Sequence, residues 1–233
     1  MTDPSRRVVL TGAGGLIGRA VTPLLPAGWD LLRTDLRTDD GISGLDVTDA
    51  EACRAAFTGA DAVVHLAAVP DPDASWEQLL PANVVGAFQV VRAAGDCGVR
   101  RLVLASSLQA VSAASVDTQI RSADPPRPAN LYGATKAWAE ALGSWVAATT
   151  ATSVVALRIG YFALQRPEVD AVSAAERAAW LSPRDAAELL RAAVEAEDVD
   201  FAVANGTSAN RYRRADLQDT IRLLGYRPQD DAW

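Results

Sequence analysis

The chain has 233 residues, 49% of them hydrophobic, with 22 lysines and arginines against 29 acidic residues and a formal charge of −7. That balance excludes nucleic acid as a main partner, because phosphate binding requires a dominant basic face. The apolar share is ample for one well-buried core. A single histidine, His65, excludes a multi-histidine metal centre, and the well-separated Cys53 and Cys97 predict neither a disulfide framework nor a zinc site. No apolar run reaches the ~18–20 residues of a membrane span, and the polar residues 1–7 hold no signal-peptide core. The expectation is a soluble protein of the reducing cytoplasm, with no membrane or metal.

Taken in order, residues 7–11 form a short β-branched run, followed by glycines and then a helical pattern from Leu16. Residues 30–35 read as a strand, 49–57 as a helix, and 62–66 as a continuous apolar strand buried on both faces. Residues 76–97 carry helical spacing up to Gly98, a stop signal. A buried strand at 102–105, a long helix at 130–149 and a strand at 153–159 come next. Ser182 and Pro183 open a further helix as N-cap and first helical residue, and 201–204 and 216–224 predict a last strand and helix. Strand and helix alternate throughout, which predicts an α/β fold with a doubly wound parallel sheet covered by helices on both faces. A single domain over 1–233 is expected, with a Rossmann core over 1–160 and a small C-terminal substrate-pocket region over 161–233. The basic stretch Arg211, Tyr212, Arg213, Arg214 reads as a solvated loop.

Gly12, Gly15 and Gly18 give the spacing G-x-x-G-x-x-G between the first strand and the first helix. Such a turn lets the chain bend sharply and brings backbone N–H groups and a helix start to a pyrophosphate. Asp35 lies about twenty residues further on, at a strand end, where a carboxylate accepts both adenosine ribose hydroxyls and repels a 2′-phosphate. The cofactor expected is therefore NAD, with NADP less favoured. Asp46 and Val47 are placed at the adenine, and the small residues Leu66, Ala67 and Ala68 at a sheet edge over which the cofactor can lie. His65, among apolar neighbours, reads as structural.

Tyr132 and Lys136 stand at i and i+4, one turn apart on a helix face, so that an ammonium can lower the phenol pKa and make Tyr132 a general base. Ser107 ends the preceding strand within reach of the same substrate oxygen. With these residues in order, the chain resembles the extended short-chain dehydrogenase/reductase family, of NAD-dependent epimerase/dehydratase type. The likeness runs from TGAGGLIG at 11–18 through HLAA at 65–68, NVVG at 83–86, ASS at 105–107 and YGATK at 132–136 to LRIG at 157–160. It implies Tyr132 as acid/base, Lys136 as the residue that lowers its pKa and holds the nicotinamide ribose, Ser107 as the group orienting the reacting oxygen, and Asn83 as support for the lysine through water. It also implies cofactor contacts from Gly12, Gly15, Leu16, Ile17, Asp35, Asp46, Val47, Leu66, Ala67, Ala68, Ser106, Tyr132, Lys136 and Ile159.

Within the family the sequence resembles the uronate dehydrogenases, including NGTSAN at 205–210 and LGYRPQDDAW at 224–233. Those enzymes follow the serine pair with Asn-His, where this chain has Leu108 and Gln109, and carry a serine where it has Tyr161. The likeness places Ser107, Leu108, Gln109 and Tyr161 at the substrate and expects an arginine for a carboxylate before Ser182, either Arg166 or Arg177, with Arg177 preferred. The short stretch after Gly160 implies a small sugar-like or secondary-alcohol substrate and not a nucleotide sugar. Leu108-Gln109 cannot supply the acid and base of a dehydratase. The activity implied is hydride transfer between that substrate and NAD, the alternatives being a sugar epimerase or a non-catalytic NAD(P)-binding sensor. Pairing of the helices at 76–97 and 130–149 would give a homodimer or higher homo-oligomer, while Trp76 and Trp180 are expected to pack.

Overall fold

A computed structural model of the chain describes residues 6–115, 117–168 and 170–233; residues 1–5 of the polar start lie outside it. The elements in order are β1 (Arg6–Thr11), α1 (Leu16–Val21), β2 (Trp29–Asp35), β3 (Ser43–Gly44), α2 (Ala50–Phe57), β4 (Ala62–His65), α3 (Trp76–Leu79), α4 (Ala87–Asp96), β5 (Arg101–Ser107), α5 (Leu131–Thr149), β6 (Ser153–Ile159), β7 (Tyr161–Phe162), α6 (Ala174–Ala178), β8 (Trp180–Leu181), α7 (Pro183–Glu195), β9 (Phe201–Gly206) and α8 (Gln218–Leu224). Among the described residues, seven strands form one parallel sheet in the order β3-β2-β1-β4-β5-β6-β9.

The two-residue period of the strands divides the core. On β1, Val8 and Leu10 face one cluster with Val21 of α1 and Leu189, Leu190 and Val194 of α7. Val9 faces the other, with Phe57 of α2, Val90 and Val91 of α4 and Leu142 of α5. β4, β5 and β6 repeat the alternation, so helices cover both faces, as their unbroken apolar strands predicted. The strand order reverses at β1 and β4, which opens a crevice at the carboxyl ends of those strands. Residues past 160 do more than shape a pocket, since α7 and β9 complete the core.

One element departs from its sequence pattern. The helix expected at 76–97 is α3, a π-helical turn at Leu80–Gly86, and then α4. Pro81 has no N–H for the α ladder, and the widened turn projects Asn83 inward, as such turns often do near a site. Gly98 has a φ of +64°, the left-handed stop expected there.

Candidate active site

The glycine turn is shaped by what a side chain would strike. Gly12 has a φ of +73°, and a Cβ on it would lie 2.5 Å from the Ala67 backbone nitrogen. A Cβ on Gly18 would lie 2.4 Å from the Gly12 carbonyl oxygen, which is the close approach of α1 to β1. Asp35 Oδ2 accepts a hydrogen bond from the Gly14 N–H at 2.9 Å, so the carboxylate is held at the rim of this cradle. The cradle and the carboxylate at the end of β2 fit an adenine dinucleotide. Gly12, Gly15, Leu16, Ile17, Leu66, Ala68 and Ile159 line one cavity of about 710 Å³. Asp46 turns to Thr48, whose N–H and hydroxyl both donate to it, and this holds its carboxyl below the usual range. Val47 packs in the core, where a Cβ on Gly86 would meet it at 2.7 Å. Neither residue, nor Ala67, is among those lining the cavity.

Ser107, Tyr132 and Lys136 converge because β5 delivers Ser107 beside the first turns of α5. Asn130 caps α5, accepting from the Gly133 N–H at 2.7 Å, and its amide donates to Gln109 Oε1 at 2.9 Å. A Cβ on Gly133 would lie 2.2 Å from the Gln109 carbonyl oxygen, so only glycine lets the helix reach the turn after Ser107. The Ser107 hydroxyl accepts from the Gln109 N–H at 3.1 Å and is near enough to the Tyr132 phenol to favour its charged form. Lys136 Nζ stands 5.6 Å from the centre of the Tyr132 ring and donates to the Ala105 carbonyl at 2.7 Å.

Burial pushes the Tyr132 phenol above its ordinary value, against the lowering effect of Ser107, and burial pulls Lys136 down to about 8. Those are the two effects on the phenol in this geometry, and desolvation disfavours the phenolate more than Ser107 favours it. His65 is brought down to about 3, first by burial and then by the charge of Lys136, and its Nδ1 lies 2.8 Å from the Thr11 hydroxyl.

Strand alternation separates the two serines. Ser106 points to the opposite side of β5 from Ser107, and its hydroxyl donates to Glu140 Oε1 at 2.6 Å. Glu140 also receives Nε and Nη2 of Arg158 at 2.8 and 2.9 Å, and all three side chains are buried. Ser106 lines the cavity, but its hydroxyl serves this network. Asn83 accepts from the Val69 N–H and donates to the Val69 carbonyl and the Thr135 hydroxyl, tying the loop after β4 to α5. Through Thr135 its side chain is linked directly to the helix that carries Lys136.

At the far end of the cavity stand Leu108, Gln109 and Tyr161, as expected, together with Ser112, Ile120, Phe162, Glu176 and Arg214. Arg177 is not there. The cavity meets α6 at Ala175 and Glu176, and the Arg177 guanidinium lies 4.0 Å from the Trp233 ring, with Nε donating to the Ala232 carbonyl. Arg166 is exposed and does not line the cavity either. The arginine that does, Arg214, sits in the stretch that reads as a solvated loop. It donates to carbonyls of Ala114, Ser115 and Thr118, nearly a hundred residues earlier, and no local pattern announces that. Trp180 is buried, with Nε1 donating to the Ala163 carbonyl, whereas Trp76 is exposed.

A parallel sheet with a glycine-lined crevice at its switch point, and a serine, tyrosine and lysine beside it, defines a short-chain dehydrogenase/reductase of the extended type. The chain belongs to the NAD dependent epimerase/dehydratase family, whose profile matches residues 8–175. It is 37% identical to the L-arabinose 1-dehydrogenase (NAD(P)(+)) of Haloferax volcanii, over 97% of both chains. It is 34% identical to the NAD-dependent glucose-6-phosphate dehydrogenase of the same organism, over 97% of this chain and 94% of that one. The crystal structure of uronate dehydrogenase from Agrobacterium tumefaciens superposes with a TM-score of 0.88 at 27% identity, over 99% of this chain and 86% of that one. A mutant of that enzyme has been solved in complex with NAD.

Proposed function

We propose that the chain is an NAD-dependent dehydrogenase that oxidises a hydroxyl group of a small sugar to the carbonyl level. The observation that carries this reading is that Ser107, Tyr132 and Lys136 all line the cavity that the glycine turn opens, with Lys136 Nζ 5.6 Å from the centre of the Tyr132 ring. Ser107 and Tyr132 hold the substrate hydroxyl, and Tyr132 as phenolate takes its proton. Bound NAD supplies the acceptor for the hydride that leaves the same carbon, so two electrons and one proton are accounted for. Lys136 would hold the nicotinamide ribose of bound NAD. Gln109, through Asn130, and Asn83, through Thr135, keep α5 in register with Ser107. The carboxylate of Asp35 supports preference for NAD by repelling a 2′-phosphate. Because Tyr132 must be deprotonated and burial raises its pKa, oxidation speeds up as pH rises, while reduction slows.

The test is Tyr132→Phe, followed by NADH absorbance and by NAD binding in calorimetry. Turnover falls by roughly 10²–10⁴ with NAD affinity nearly intact. Turnover within tenfold of wild type would remove Tyr132 from the chemistry. Two copies paired through α4 and α5 complete the proposal, supported by the exposed Trp138 and Trp145 and by the stacking of Trp145 on Phe88. Among the described residues no helix is long and apolar enough to cross a membrane. The unpaired Cys53 and Cys97 support the cytoplasm as the compartment.

A further inference from the structure

One wall of the cavity is a short helix held from behind. α6 is five residues long, and the wall takes Ala175 and Glu176 from it and Ala179 from just past its end. At that end the Tyr161 N–H donates to the Ala179 carbonyl at 2.8 Å. Arg177 does not line the cavity, and its guanidinium lies 4.0 Å from the centre of the Trp233 ring, with Nε donating to the Ala232 carbonyl at 2.8 Å. Arg177 is buried, and among the described residues it forms no ion pair, so a ring face and a carbonyl are what hold its charge. The same indole meets the Tyr212 ring edge-on, with centroids 5.1 Å apart. Tyr212 stands two residues before Arg214, which lines the cavity and whose N–H donates to the Ala178 carbonyl at 3.0 Å. Trp233 therefore touches both pieces of chain that form this wall.

The strap that delivers the indole is itself firmly anchored. The fully buried Asp185 accepts from the N–H groups of Gln229 and Asp230, both at 2.9 Å. Asn210 accepts the Ala232 N–H at 3.1 Å and donates to the Trp180 carbonyl at 2.8 Å. Asp231 accepts from the N–H groups of Arg211 and Trp233 at 3.0 and 3.1 Å.

We infer that Trp233 and Arg177 are positioning residues for substrate binding, a brace that fixes α6 and the 212–214 segment as one wall of the pocket. The inference rests on the dehydrogenase reading above and deepens it. Neither residue reaches the cavity, so each acts through the chain it holds. Ser107, Tyr132 and Lys136 come from β5 and α5, and the glycine turn lies between β1 and α1, so the brace bears on neither. Loosening it weakens sugar binding and leaves the chemical step and the cofactor alone, which is the signature of lost uniform binding.

The experiment measures NADH formation with whichever of L-arabinose, glucose, glucuronate and glucose 6-phosphate the wild type turns over fastest, and NAD binding by calorimetry. Trp233→Ala should raise the KM for that sugar roughly tenfold, with kcat within about threefold and NAD affinity within about twofold. Trp233→Phe, which keeps a ring face and drops the indole N–H, should bring the KM back to within about threefold of wild type. Arg177→Met should match Trp233→Ala, and the double variant should be no worse than either, because both remove the same contact; should Trp233→Ala fail to fold, Arg177→Met reads the same effect. Hydrogen exchange should quicken roughly tenfold at the amides of 174–179 in these variants and stay unchanged in β1 and α1. An unmoved KM, or a loss shared equally by kcat and NAD affinity, would overturn the brace, as would simple additivity of the two substitutions. Silence of the wild type on every sugar with NAD bound would sink the dehydrogenase reading, and unchanged exchange at 174–179 would then sink the brace independently.

Discussion

The region from β1 to β6, which carries the glycine turn, and the region beyond β6 are built by different forces. From β1 to β6 apolar strands of the sheet are covered by helices that pack aliphatic side chains against them, α5 adding the buried Lys136 and Glu140. The region beyond β6 has two-residue strands, β7 and β8, a five-residue helix, α6, and irregular chain at 207–217 and 225–233. Its backbone is held by buried polar side chains. Asp185 accepts from the N–H groups of Gln229 and Asp230, Asn210 binds the Trp180 carbonyl, Asn205 binds the carbonyls of Ile120 and Asp216, and Tyr226 binds that of Thr207. A sheet satisfies its own backbone groups, so burial alone suffices to hold it. Irregular chain brought indoors must find partners in side chains, because an orphaned buried donor or acceptor costs about 1–3 kcal/mol.

The sharpest way to break that contrast is at the seam. Glu140 sits beneath the catalytic face of α5 and is the ionic partner of the buried Arg158. Glu140→Ala leaves that guanidinium without its carboxylate and is expected to cost about 3–5 kcal/mol in urea unfolding. A loss below about 1 kcal/mol would mean that Arg158 finds water or another acceptor and that the seam is looser than it looks.

A smaller and more selective effect is expected at Asp185, which is fully buried. Asp185→Ala strips the acceptors from two backbone N–H groups and should cost about 1–3 kcal/mol. It should also raise the KM for sugar several-fold, because the strap it holds carries Ala232 and Trp233 against Arg177 of α6. NAD affinity should stay within about twofold. If NAD binding weakened as much as sugar binding, the two halves would be energetically one unit.

The smallest effect tests the cofactor half. His65 is neutral and buried, with its pKa brought down to about 3. The unfolded chain binds a proton there below about 6.5, and the folded chain does not until about 3. Stability is therefore present above the unfolded value and falls as pH drops through that window, by about 1.4 kcal/mol per pH unit from this residue. Urea titrations at pH 6.5 and 5.5 should show the loss, and His65→Gln should flatten it. An identical slope in the variant would assign the loss to other groups.

Much of this was legible in the one-dimensional pattern. Alternation of strand and helix, the glycines at 12, 15 and 18, Asp35 at a strand end, and Tyr132 with Lys136 one turn apart are all short-range facts. They follow from steric rules and periodicities that act within a few residues. They were enough for the sheet, the cofactor cradle and the catalytic helix. The sequence also held the breaker at Pro81, but only the packed structure showed that the chain answers it with a π turn that aims Asn83 at Val69 and Thr135.

What the sequence could not determine is the direction of side chains whose partners are remote. Ser106 and Ser107 are adjacent, and the pleat of β5 sends one to Glu140 and the other to Tyr132. Arg177 stands where a carboxylate partner was expected, yet Trp233 holds it elsewhere, and Arg214, in a stretch with every mark of a solvated loop, enters the cavity wall. Each outcome depends on contacts far apart in the chain, whose closure is decided by the packing of the whole sheet. The sequence by itself thus determined the fold and the cofactor class, because these rest on local geometry, and it pointed to Ser107, Tyr132 and Lys136, which the fold brings to one cavity. The charge of the sugar pocket belongs to the tertiary structure alone, because it depends on which buried partner captures each long cationic side chain.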